Sequence, residues 1–124
     1  MGRRKVARFV VALAAGAVLA AGALSGCTPA AVDTAGATII DVRTPAEYQA
    51  GHLKGAINID VQSADFATKI AALPKDKPYV LYCRSGVRAG NAQAQMKAAG
   101  FTNVTNAGGM VQASQSTGLP IVTT

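Results

Sequence analysis

The six residues Cys83-Arg84-Ser85-Gly86-Val87-Arg88 bring together a nucleophilic sulfur, a flexible glycine and two guanidinium groups. They follow the apolar run Tyr79-Val80-Leu81-Tyr82 and lead into an alanine-rich stretch that ends at Ala99. A strand that hands a cysteine to the first turn of a helix aims several backbone N–H groups at one point, where the helix dipole also favours negative charge. Such a point binds anions and favours the ionised form of a thiol. Arg84 and Arg88 add positive charge, Ser85 offers a hydroxyl donor, and Gly86 allows the backbone to curl inward or approach a ligand closely. The chemistry implied is attack by a thiolate on an anionic substrate. A cysteine that merely filled the core would need none of these neighbours.

The elements that must position this loop alternate between strand and helix. Thr38 to Val42 is β-branched and mostly apolar, as a short buried strand requires. Thr44 is placed to cap a helix from Pro45 to about Ala50, with Pro45 at its first position, Glu47 in its first turn and Gly51 as its stop. Ala56 to Ile59 is a second strand candidate. Between Ser63 and Leu73, the apolar residues Phe66, Ile70 and Leu73 form one helical stripe. Tyr79 to Tyr82 is the third strand, and Arg88 to Ala99 is a helix with Ala92, Met96 and Ala99 toward the core. Val104 to Asn106 gives a fourth strand, Gly108-Gly109 a turn and Met110 to Ser116 a weak helix, with Leu119 to Val122 closing the chain. This alternation predicts an α/β domain with a mainly parallel sheet flanked by helices. Ligands of such sheets bind beyond the carboxyl ends of the strands, which is where Cys83 falls.

The N-terminal segment has a different character. Arg3, Arg4, Lys5 and Arg8 precede an apolar run from Phe9 to Leu24, and Leu24-Ser25-Gly26-Cys27 follows. That order reads as a secretory signal over residues 1–26. The last four residues resemble the lipobox of bacterial lipoproteins, which implies diacylglycerol on the Cys27 sulfur, cleavage before it and a lipid anchor in the cell envelope. An uncleaved anchor is disfavoured, because the apolar run is shorter than the ~20 residues of a spanning helix.

Without residues 1–26 the net charge falls from +6 to +2, since Arg3, Arg4, Lys5 and Arg8 leave with the signal. The basic balance is thus a targeting feature, and no basic run interleaved with aromatics points to nucleic acid. Residues 27–37 read as a short tether and 38–124 as one small domain. With Cys27 lipidated, Cys83 is an unpaired thiol in an oxidising compartment; a Cys27–Cys83 disulfide would require the lipobox to be coincidental.

Four stretches in order resemble the rhodanese family of sulfurtransferases. They are Asp41-Val42-Arg43 with Glu47-Tyr48, then Gly51 to Ile59, then the loop Cys83 to Ala89, and finally Gly118 to Val122. The resemblance implies a rhodanese-like fold, and a Cys83 thiolate that takes the outer sulfur of thiosulfate or a similar donor. The resulting persulfide would be cradled by backbone N–H groups of Arg84, Ser85, Gly86, Val87 and Arg88. A thiophilic acceptor such as cyanide or a thiol would then remove the sulfur. Related phosphatases and arsenate reductases carry one more residue between cysteine and arginine, so the shorter ring here suits a single sulfur atom.

The resemblance assigns Asp41, Arg43 and Glu47 to bracing the site, with Asp41 or Glu47 paired to an arginine. His52 is expected to be a structural hydrogen-bonding residue, because an ionised thiol needs no base. No cofactor is implied, and no second histidine or cysteine supplies metal-ligand spacing. Many relatives have a tryptophan where Ala113 stands. The alternative function is a rhodanese-like module without turnover, which carries persulfide or docks to a redox partner.

Overall fold

The computed structural model describes residues 30–123. Cys27 and the signal segment lie outside them. Strands β1 (Thr38–Asp41), β3 (Ile57–Asn58), β4 (Pro78–Cys83) and β5 (Asn103–Gly109) form a sheet in the order β3-β1-β4-β5. Every pairing in it is parallel. Helices α1 (Pro45–Ala50), α2 (Phe66–Ala71), α3 (Val87–Ala98) and α4 (Met110–Thr117) connect and flank the strands, which is the α/β architecture anticipated from the alternation. A second, two-stranded sheet pairs β2 (His52–Leu53) with β6 (Ile121–Val122) in antiparallel fashion.

Alternation along β4 divides the interior in two. Tyr79, Leu81 and Cys83 join Phe66, Ile70, Ala89, Ala92 and Met96 in one buried cluster, beneath α2 and α3. Val80 and Tyr82 join Ile39, Leu53, Ala56 and Ala113 in the other, beneath α4. Cys83 is therefore the last residue on the α3 side of β4, which puts its sulfur under the start of that helix.

Local signals set several boundaries. Thr44 Oγ1 accepts the Glu47 N–H at 3.3 Å, Pro45 opens α1 and Gly51 closes it. The helix expected over Ser63 to Leu73 is shorter, Phe66–Ala71, and its apolar stripe is retained, with Phe66 and Ile70 buried and Leu73 packed beside them. The strand expected over Val104 to Asn106 runs on through Gly109, so Gly108 and Gly109 do not form a separate turn. They end β5 and pass directly into α4.

The segment expected to act as a tether contacts the domain over its described part. The Val32 N–H donates to the Ser116 carbonyl at 2.8 Å, and Val32 and Ala37 pack against the cluster beneath α4.

Candidate active site

The Cys83 side chain is a fully buried free thiol at the end of β4. Three residues on, Gly86 occupies the N-cap of α3 in the left-handed region, with φ +97°. That conformation turns its N–H back on the sulfur, at 2.9 Å. The first intrahelical bond is Gly90 N–H to the Gly86 carbonyl. The N–H groups of Val87, Arg88 and Ala89 thus belong to the opening turn, whose donors have no partner within a helix. The sulfur thus has one backbone donor on it and lies at the positive end of a twelve-residue helix, a setting that favours negative charge.

The other loop residues divide by environment. Ser85 is exposed and does not cap α3, because Gly86 takes that position. Val87 is 70% exposed beside the loop. Arg84 and Arg88 both add positive charge to the loop, but the Arg88 guanidinium forks onto Glu47, Nη1 to Oε1 at 2.7 Å and Nη2 to Oε2 at 2.9 Å. These hydrogen bonds hold the Glu47 carboxyl down at about 2, against the opposing effect of burial, and raise Arg88 above its ordinary value. Arg84 is exposed and makes no ion pair among the described residues. It lines an open cleft of about 430 Å³ with Arg43, Glu47, Ala50, Met110 and Val111.

Asp41 and Arg43 sit behind this rim. Arg43 donates from Nε and Nη2 to the buried Asp41 carboxylate, the shortest contact being 2.6 Å, and Nη2 also reaches the Gly51 carbonyl at 2.6 Å. Hydrogen bonding to Asp41 raises the Arg43 pKa, against the opposing effect of burial. Tyr82 donates to Asp41 Oδ2 at 2.9 Å and accepts the Leu53 N–H at 3.0 Å. Burial, above all, pushes its phenol up. The two acidic residues thus each pair with an arginine and brace the site from β1 and α1. His52 is also structural, stacked on Tyr48 at 3.8 Å with Nδ1 2.8 Å from the Tyr48 carbonyl.

Three residues that shape the loop went unrecognised in the sequence. Asn106 donates to the Gly86 carbonyl at 3.0 Å and accepts the Gly108 N–H at 2.9 Å, tying β5 to the loop. A Cβ on Gly109 would lie 2.5 Å from the Arg84 carbonyl, so only glycine lets β5 come this close. Gln112 Oε1 accepts the Gly109 N–H at 2.9 Å and fixes the entry to α4. The signals for them were a polar Asn inside a strand and a glycine pair beside it, both unfavourable for a strand unless something else requires them.

A parallel sheet that presents a cysteine to a helix start, with a glycine N–H on the sulfur, defines an α/β protein whose cysteine loop lies at the carboxyl end of a central strand. Residues 29–115 match the rhodanese-like domain model, and the chain belongs to that family. It is 36% identical over 90 residues to a sulfurtransferase of Allochromatium vinosum, covering 73% of this chain and 82% of that protein. It is 38% identical over 71 residues to the thiosulfate sulfurtransferase PspE of Escherichia coli strain K12, covering 57% and 68% respectively. Among solved structures, a rhodanese with anions from E. coli aligns with a TM-score of 0.60 at 33% identity, over 71% of this chain and 99% of that one. These sulfurtransferase relatives support a transferase.

Proposed function

We propose that the chain moves sulfane sulfur from thiosulfate, or a donor of the same charge and shape, to a thiophilic acceptor through a persulfide on Cys83. The observation that carries this is the Gly86 N–H on the Cys83 sulfur in a Cys-x4-Arg loop. The Cys83 thiolate attacks the outer sulfur of thiosulfate; a new S–S bond forms, the old one breaks, and sulfite leaves with the electron pair. The acceptor then attacks the outer sulfur of the persulfide and Cys83 departs as thiolate, so cyanide becomes thiocyanate. This is covalent catalysis in two half-reactions, with the Gly86 N–H on the sulfur as a backbone donor. Arg84 supports an anionic donor, because Arg88 and Arg43 are neutralised by Glu47 and Asp41. We also propose that the protein is exported and held to a membrane by lipid on Cys27, as the Leu24-Ser25-Gly26-Cys27 sequence indicates.

The test is thiocyanate formation by the purified chain given thiosulfate and cyanide. Formation that is lost in Cys83→Ala is expected. Formation no greater than in that variant would overturn the enzymatic claim. Sulfur loaded onto Cys83 without turnover would instead identify a persulfide carrier.

A further inference from the structure

We propose that the end of the domain where the strands begin faces a lipid bilayer, and that the mouth of the Cys83 loop faces away from it. The proposal rests on the reading of Cys27 as the lipid anchor.

Ala30 to Asp33 and Ala35 line a cavity of about 460 Å³ together with Pro78, Tyr79, Val80, Asn103 and Thr105. Pro78 and Asn103 are the first residues of β4 and β5, so the N-terminal segment crosses the sheet at the end where these strands start. It is fixed there by the hydrogen bond from Val32 to Ser116 and by packing of Val32 on the cluster beneath α4. Cys83 closes β4 at the opposite end, five residues beyond Pro78, or about 17 Å at the rise of a strand.

Only two residues separate Cys27 from Ala30, so the three Cα-to-Cα steps between them reach at most about 11 Å at full extension. An anchor on Cys27 therefore remains nearer the strand starts than the mouth. Bringing the mouth to the lipid would require the segment to leave Ser116 and expose the surfaces lining the cavity.

Charge permits this orientation without imposing it. Lys75, Lys77 and Lys97 are exposed at the same end: Lys97 lies in the last turn of α3, and Gly100 just after it is packed near the Lys75 side chain. Asp33 and Asp76 offset two of these charges, and Lys69 is paired with Asp65. One net positive charge gives anionic headgroups only a weak hold. The short, docked segment is thus the dominant restraint, and sulfur donors and acceptors reach Cys83 from the aqueous side.

The test uses the full chain, processed and lipidated, in vesicles that contain a headgroup quencher. Single reporter cysteines in a Cys83→Ser background are labelled with a fluorophore. Lys77→Cys and Lys97→Cys report the strand-start end, and Val87→Cys and Arg84→Cys report the mouth. Quenching several-fold stronger at 77 and 97 than at 84 and 87 is expected. Equal quenching, or stronger quenching at the mouth, overturns the orientation. Intact mass and vesicle flotation of the same samples test the anchor separately. Loss of both the lipid mass and flotation would overturn the anchor and the orientation with it; their presence with equal quenching would overturn the orientation alone.

Discussion

Two constraints meet at Gly86. Its φ of +97° lies where side chains are strained, and a Cβ there would come 3.2 Å from the Gly108 Cα. Gly86→Ala is expected to cost about 1–2 kcal/mol in urea unfolding from the backbone conformation, and to lose persulfide formation by a larger factor because the N–H moves off the sulfur. Retention of wild-type sulfur loading in this variant would show that the Gly86 donor is dispensable. Arg84 separates binding from chemistry. Removing its charge in Arg84→Met is expected to raise KM for thiosulfate about tenfold, equivalent to ~1.4 kcal/mol, and to change kcat little. An equal loss with an uncharged donor would contradict an electrostatic role.

Helix α1 braces the loop through Glu47, and the sign of its pH effect follows from the carboxyl being held at about 2, below the ordinary 4.5. The pair contributes fully above the unfolded value of 4.5, and its contribution is lost as pH falls from there toward 2. Glu47→Gln should lower neutral-pH stability by about 1 kcal/mol, since the pair is partly exposed. It should also flatten the dependence of the urea midpoint on acid below pH 4.5. Strand β4 contributes through Tyr82. Tyr82→Phe leaves the Leu53 N–H without its acceptor and is expected to cost about 1–3 kcal/mol in the same assay. The boundaries of α1 were legible in the sequence because Thr44, Pro45 and Gly51 act within one turn. The pairing of β2 with β6 was not, because two-residue strands far apart in the chain carry no periodicity of their own. The loop motif showed Cys83 and Gly86 directly. Asn106 and Gly109 escaped because their partners, the Gly86 and Arg84 carbonyls, are set by tertiary contact across β4 and β5.

At the scale of the whole molecule, the sheet separates two ends with different tasks. The strand C-termini carry Cys83 beneath α3, with α1, α4 and Arg84 lining the adjoining cleft, while the strand N-termini receive the segment that leads back toward Cys27. Cys27→Ser is expected to release the protein from membranes while leaving the sulfurtransferase activity of the domain intact. Unchanged membrane attachment on fractionation would refute the lipid anchor. With no second cysteine among the described residues, a persulfide on Cys83 is expected to pass its sulfur to another molecule. The most direct test of that sequence of events is the intact mass of the chain after incubation with thiosulfate and removal of the excess. One added sulfur atom on the wild type, absent in Cys83→Ala and released as thiocyanate on adding cyanide, is the predicted result. A wild-type mass that does not change, or a sulfur that still adds to Cys83→Ala, would contradict persulfide transfer through Cys83.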